Sequence, residues 1–146
     1  MRINRYQTYI DEEVLTAEPL RLVQLLYRGA LDSIAAARRH LKLGDIRARS
    51  RAISKAMGII SELALSLDHK VGGEVSKNLA ELYAYTQQLL IQANVKQSDP
   101  PLAEAERLLS TLLEGWHAVA SGEKPSGENR ASAEPSAPYQ PVSCAY

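Results

Sequence analysis

The sequence has no phenylalanine, one tryptophan and one cysteine, Cys144. A single cysteine cannot form an intramolecular disulfide, so we expect a fold that needs none and a reducing compartment. Because large aromatic residues are scarce, the interior must be filled mainly by Leu, Ile and Ala. These residues favour helices over strands.

The sequence also lacks an excess of charge of one sign and long apolar runs. The 17 basic and 17 acidic side chains give a formal net charge of zero, which gives no general attraction to nucleic acid or to anionic membranes. No apolar run approaches the ~20 residues that span a bilayer, and the first ten residues lack the apolar core of a secretion signal. We therefore expect one cytoplasmic domain, long enough at 146 residues to bury its own core.

Four segments carry apolar residues at spacings of three and four, the pattern of one helical face. Helices are predicted from about Ala17 to Gly44, from Asp45 to just before Gly72-Gly73, from about Glu74 to Asn94, and from Pro100 to about residue 120. The second stripe includes Ile46 and Ile53, and the fourth ends with Val119. Short connections place successive helices antiparallel, so we predict an all-α, up-down four-helix bundle over residues 17–120.

The two ends of the chain have a different composition. Residues 1–16 form a polar segment with scattered apolar positions. Residues 121–146 contain four prolines, five serines and two glycines among 26 residues, and few aliphatic residues. Such a tail cannot bury enough apolar surface to offset the entropy of ordering, so we predict that it is disordered.

Arrangements of side chains that are typical of catalytic, metal-binding or phosphate-binding sites are lacking in the sequence. The three histidines, His40, His69 and His117, have no partner at metal-ligand spacing, and no glycine-rich phosphate loop is present. Cys144 lies in the predicted tail without a neighbouring base. We expect no enzyme activity, no cofactor and no metal site.

One region is locally basic. Seven cations and a single acid, Asp45, lie between residues 38 and 55; the cations are Arg38, Arg39, Lys42, Arg47, Arg49, Arg51 and Lys55. A solvated end of the bundle explains them most simply. The alternative is a small regulatory or adaptor protein whose basic cluster binds an acidic protein or RNA, although interleaved aromatics and a reading helix are lacking.

A series of short motifs points to a known family. In chain order they are Tyr6-Gln7, Thr16-Ala17-Glu18-Pro19, Leu25-Leu26-Tyr27-Arg28-Gly29-Ala30, Ile53-Ser54-Lys55-Ala56, Ile59-Ile60-Ser61-Glu62-Leu63, Ser66-Leu67-Asp68, Gly72-Gly73-Glu74, Asn78-Leu79, Leu82-Tyr83-Ala84-Tyr85, Ala93-Asn94 and Trp116. Their order and spacing resemble the flagellar secretion chaperones of the FliS type. The chain departs from that pattern at Arg28, where the family usually has an acid, and in its tail.

The resemblance implies a specific function. Such chaperones hold the C-terminal segment of flagellin, which is disordered in the monomer, and so prevent premature polymerisation in the cytosol. They deliver it to a component of the flagellar type III export gate. The expected partners are therefore flagellin and that gate component, with a homodimer conceivable for the free chain and no nucleic acid or membrane insertion.

The residues that would contact this client segment can be named only as candidates. A polymerising segment is amphipathic, and a rigid bundle offers grooves for its apolar face. The two residues of an adjacent apolar pair, such as Leu89 and Leu90, point in different directions on a helix. They are not both expected to face the bundle axis, so such pairs would leave apolar surface uncovered. The candidates for client binding are Tyr6, Tyr9, Leu26, Tyr27, Ile53, Met57, Ile60 and Tyr83. Tyr6, Tyr9 and Ile10 could also fold back over an empty groove and yield to the client.

Overall fold

The computed structural model describes residues 19–122, and every regular element in that range is helical. The helices are α1 (Pro19–Leu43), α2 (Ile46–Leu65), the one-turn α3 (His69–Gly72), α4 (Glu74–Lys96) and α5 (Pro100–Ser121). The predicted all-α fold is confirmed. Residues 1–18 and 123–146, which include the whole predicted N-terminal segment and all but two residues of the predicted tail, lie outside the described residues.

The four long helices pack as a ring in which α1 contacts α2, α2 contacts α4, α4 contacts α5, and α5 contacts α1. Two tight turns, residues 44–45 and 97–99, reverse the chain at one end, here called the upper end. The lower end holds the start of α1, the turn that carries α3, and the end of α5. Each helix therefore runs antiparallel to both of its neighbours in the ring.

Local chemistry explains the two upper turns. Gly44 has a φ of 75°, a conformation that glycine adopts without strain, and the Asp45 carboxylate accepts a hydrogen bond from the Ala48 amide at 3.1 Å. α4 ends at Lys96, and its C-cap is Gln97, the only non-glycine residue with positive φ within residues 19–122. Asp99 precedes two prolines, a position typical of a helix cap, but its side chain makes no capping bond. Its carboxylate binds Arg38 instead.

The second helix stops earlier than predicted. α2 ends at Leu65, and the Ser66 hydroxyl donates to the Leu63 carbonyl at 2.7 Å. The Asp68 carboxylate then accepts from the amides of Lys70 and Val71, both at 3.1 Å, and this starts α3 as a separate turn. Polar side chains that bind local backbone groups compete with continued helix, which is why the apolar pattern alone misplaced this boundary.

The core is aliphatic, as expected, with two buried tyrosines. Its buried hydrophobic residues are Tyr27, Ala30, Ile34, Ala37, Ile53, Ala56, Ile60, Leu63, Leu79, Tyr83, Leu89, Leu90, Ala93, Leu102, Ala105 and Leu109. Leu89 and Leu90 are both buried, because α4 packs against α2 on one side and α5 on the other. The placement of Ile46 and Val119 on inner stripes was wrong: both are exposed, since they lie in terminal turns at opposite ends of the bundle.

Candidate functional site

An apolar groove of about 260 Å³ opens at the lower end of the bundle. Helices α1, α3, α4 and α5 and the turn before α3 all contribute to it. Its apolar lining residues are Val23, Leu67, Val71, Val75, Leu79, Tyr83 and Trp116. Val71, one of these residues, is 80% exposed, so its side chain is available to a partner that enters the groove.

The turn that shapes this groove depends on close packing at Gly72. A Cβ atom on Gly72 would lie 2.0 Å from the Ser76 hydroxyl oxygen, well inside van der Waals contact. That hydroxyl donates to the Asp68 carbonyl at 3.0 Å, and Asp68 caps α3. The sequence identified Gly72-Gly73 only as a helix break; the structure shows that Gly72 also lets α3 pack against the start of α4.

A pair of buried hydroxyl groups lies beneath the groove. The Tyr27 and Tyr83 hydroxyl oxygens are 2.7 Å apart, and the two rings meet edge to face with centroids 6.3 Å apart. Burial raises the pKa of both hydroxyls, so both stay protonated and share one hydrogen bond. The bond joins α1 to α4 across the ring of helices and satisfies two polar groups that would be costly if left unpaired.

A second uncharged surface lies along α4. From Leu82 to Val95 the helix carries no ionisable group except tyrosine, and its solvent-facing stripe comprises Ala84, Gln88, Ile91 and Val95. Small exposed residues of α2, namely Ser54, Gly58 and Ser61, lie on the neighbouring helix. Gln87 links the two helices by donating to the Met57 carbonyl and to the Ser61 hydroxyl.

The predicted client-binding residues do not form one surface in the described fold. Four of them, Tyr27, Ile53, Ile60 and Tyr83, belong to the core with at most 2% exposure. Leu26 and Met57 are partly buried and pack against that core. Tyr6 and Tyr9 lie outside the described residues, so their contact with a client stays a prediction, as it does for the other six.

Of the six candidates within residues 19–122, Tyr83 is the one that lines the groove. The sequence reasoning missed most other lining residues, because Leu67, Val71 and Val75 fall where one helical period breaks and another begins. A usable signal was the presence of Val71 in a polar, glycine-containing break, where an aliphatic residue has no obvious core to enter. Trp116 packs against the core and also lines the groove.

The cations of the basic cluster at the upper end have different roles in the fold, because some of them bind other side chains of the bundle. Arg38 binds Asp99 through two bonds of 2.8 and 2.9 Å and Glu106 at 2.5 Å. The pKa of Asp99 is lowered, chiefly by its hydrogen bonds with Arg38. Arg49 is buried and donates to the Asn94 side-chain oxygen at 3.0 Å. At least two of the seven cations therefore hold the bundle together.

No cluster of three or more potential metal ligands occurs within residues 19–122. No helix in that part of the chain is long and apolar enough to cross a membrane. The described surface thus offers an apolar groove, an uncharged helix face and a group of exposed cations.

Comparisons with known proteins identify the family. A family model described as "Flagellar protein FliS" matches residues 2–123. The chain is 38% identical over 114 residues to the flagellar secretion chaperone FliS of Salmonella typhimurium, covering 77% of this chain and 84% of that protein. It is 37% identical over 113 residues to FliSB of Pseudomonas aeruginosa, covering 77% and 90%, and 31% identical over 121 residues to FliS of Bacillus subtilis, covering 83% and 90%. The chain therefore belongs to the FliS family of flagellar secretion chaperones.

Proposed function

We propose that this chain is a cytosolic export chaperone for flagellin. It binds the disordered C-terminal segment of flagellin, prevents premature polymerisation and supports delivery to the flagellar type III export apparatus. The observation that carries this proposal is the apolar groove at the lower end, because the bundle fills its own core and still leaves large aliphatic side chains uncovered.

The energetics of the groove fit such a client. Each Leu- or Ile-sized side chain that becomes buried contributes roughly 1.5–3 kcal/mol of transfer free energy. Ordering a disordered segment costs about 2–5 kcal/mol or more. A few apolar anchors are therefore enough, and the uncharged stripe on α4 offers further contact area without the desolvation of charges.

The direct test is co-expression with the C-terminal segment of flagellin, followed by size-exclusion chromatography and calorimetry. We expect a one-to-one complex. The absence of a detectable complex at tens of micromolar would reject the proposal.

A matched pair of variants tests the groove itself. Val71 and Leu43 are equally exposed aliphatic residues, at 80% and 78%, on opposite ends of the bundle. Val71→Glu introduces a charge into the groove and should weaken the complex roughly tenfold or more, whereas Leu43→Glu should leave it nearly unchanged. If a complex forms but both variants bind like the wild type, the chaperone function stands and the groove is not the client site.

The N-terminal segment supplies a second part of the proposal. Its chain enters α1 at Pro19, four residues before the groove residue Val23. Tyr6, Tyr9 and Ile10 would cover the empty groove and yield to the client. Deleting residues 2–13 should then change the client affinity; unchanged affinity together with unchanged solubility of the free chain would contradict this part alone.

The salt dependence of binding distinguishes this function from the alternative role as an adaptor protein. Binding of an acidic protein or RNA by exposed cations should weaken steeply as salt is raised, whereas binding of apolar residues in the groove should change little. A strong salt dependence of flagellin binding would favour the basic surface as the binding site.

A further inference from the structure

The turn between α1 and α2 carries apolar surface that the fold does not use. Leu43 ends α1 and Ile46 begins α2, and they are 78% and 56% exposed. Gly44 and Asp45 alone separate them, so both side chains are held at the upper end of the bundle as one aliphatic tip. The tip is convex, unlike the groove at the lower end.

Exposed cations surround this tip. Lys42 and Arg47 are its immediate neighbours in the chain, and Arg39 and Arg51 lie one turn further along α1 and α2. At a helical rise of 1.5 Å per residue, all four lie within about 8 Å of the tip along the helix axes. Lys96 adds an exposed cation at the upper end of α4.

The acidic residues nearby, Asp45 and Asp99, are hydrogen-bonded but remain exposed to solvent, and these five cations outnumber them. The Asp45 carboxylate accepts the Ala48 amide, and the Asp99 carboxylate holds Arg38. The upper end therefore presents charge of mainly one sign around two aliphatic side chains, although the whole chain has no net charge.

We propose that this upper end docks on an anionic lipid bilayer. Leu43 and Ile46 enter the interfacial layer while Arg39, Lys42, Arg47 and Arg51 contact headgroup phosphates, a combination of apolar and electrostatic attraction that is typical of peripheral membrane binding. A flat anionic plane can meet the ends of α1, α2 and α4 together. RNA or a purely acidic protein surface would use the cations but would gain little from the aliphatic tip. Such docking needs no membrane-spanning helix and does not depend on the proposed client.

The test is flotation of the full chain with vesicles of phosphatidylcholine alone and with an equimolar mixture of phosphatidylglycerol and phosphatidylcholine. We expect the chain to float with the anionic vesicles and to stay in solution with the neutral ones. Absence of binding to the anionic vesicles at low salt, or equal binding to both kinds, would overturn the proposal.

Matched variants from the two ends assign the surface. The pair Leu43→Ser with Ile46→Ser should lower binding to anionic vesicles by on the order of tenfold, whereas Leu65→Ser with Val71→Ser, at least as exposed but at the lower end, should not. The charge reversals Lys42→Glu with Arg47→Glu should abolish binding, and Lys70→Glu with Lys77→Glu should reduce it only slightly.

Circular dichroism confirms that each variant is folded, which the exposure of all eight positions favours. Equal losses from variants of both ends would contradict a site at the tip. A third outcome is possible: the charge reversals at Lys42 and Arg47 abolish vesicle binding, whereas the serine substitutions at Leu43 and Ile46 leave it unchanged. That outcome would contradict docking on a bilayer and would indicate a general site for polyanions.

Discussion

The upper and lower ends of the bundle are closed by different kinds of contact. At the upper end, long polar side chains reach between helices: Arg38 of α1 binds Asp99 and Glu106, and Arg49 of α2 binds Asn94 of α4. At the lower end, His117 of α5 is hydrogen-bonded to Gln24 and Arg28 of α1. The connection from α2 to α4 at this end is instead a one-turn helix folded by short-range bonds to the backbone, such as those of Asp68.

The apolar groove lies at the lower end, although Leu43 and Ile46 leave aliphatic surface exposed at the upper end as well. Cross-helix polar contacts need exact distances and draw the upper helices together. The compact lower turn satisfies its own backbone and leaves Val71 and its neighbours uncovered between the helix ends. The groove thus lies beside the connection between α2 and α4, which the chain makes by a local turn.

The largest effect is expected from breaking an upper contact. Asn94→Ala removes the side-chain acceptor of the buried Arg49 guanidinium and of the Ser50 hydroxyl, so we expect a loss of about 2 kcal/mol in the free energy of unfolding. Urea denaturation measures it. Asn78→Ala, at an exposed lower position, is the control and should change stability by less than about 0.5 kcal/mol. Equal losses in the two variants would contradict the role of the upper contact.

The hydroxyl pair beneath the groove gives the next effect. Tyr83→Phe removes the Tyr83 partner of the buried Tyr27 hydroxyl and leaves only its contact with Trp116, which should cost about 1–2 kcal/mol. Tyr27→Phe combined with Tyr83→Phe should cost less than the sum of the single changes, because neither hydroxyl then remains to be satisfied. Additive losses in thermal or urea unfolding would show that the shared bond contributes no coupling.

The lower turn is tested at its glycine. Gly72→Ala places a Cβ against the Ser76 hydroxyl, which must rotate away from the Asp68 carbonyl, so we expect a loss of about 1 kcal/mol. The same substitution should cost less in a Ser76→Ala background. Gly58→Ala is the matched control: its Cβ meets no atom within 4 Å in the middle of α2, and the change should stabilise the helix by about 0.5–1 kcal/mol. Destabilisation by both alanines would argue against a specific contact at Gly72.

The smallest effect concerns the exposed part of the upper contacts. Arg38 lowers the pKa of Asp99, so this carboxylate stabilises the fold above its unfolded pKa of about 3.9 and loses that contribution as the pH falls through its lower folded value. Because both side chains are more than a third exposed, we expect Asp99→Asn to cost less than about 1 kcal/mol at neutral pH. Unfolding between about pH 5 and pH 2 should show a flatter acid dependence in Asp99→Asn than in wild type. Parallel curves would contradict this assignment.

The long helices and most of their buried faces could be predicted from the sequence. Ile34, Ile60 and Leu109 each belong to a series of apolar residues at helical spacing within their own helix. Gly44 is a helix stop signal, and Asp45 is the start signal of the next helix. Asp99 shows where this approach fails. Its position before two prolines is typical of a cap, but a guanidinium from a helix 61 residues away in the chain takes its carboxylate.

The candidate site was predicted less well than the fold, and for a physical reason. Periodicity identifies which residues face inward along one helix, but the groove is made by the ends of several helices and by a turn where the period is interrupted. Tyr27, Ile53 and Ile60 satisfied the pattern of apolar residues and proved to be core, whereas Val71 lay outside any stripe.

The amino-acid sequence alone determined the helical class, the antiparallel order of the long helices, the aliphatic core and, through its motifs, the resemblance to a chaperone family. These properties follow from local spacing and from turn residues, which act between near neighbours in the chain. Only the tertiary structure decided which apolar residues stay uncovered and which cations point outward. Both depend on contacts between distant segments, such as Arg38 with Asp99 and Arg49 with Asn94, that no local pattern specifies.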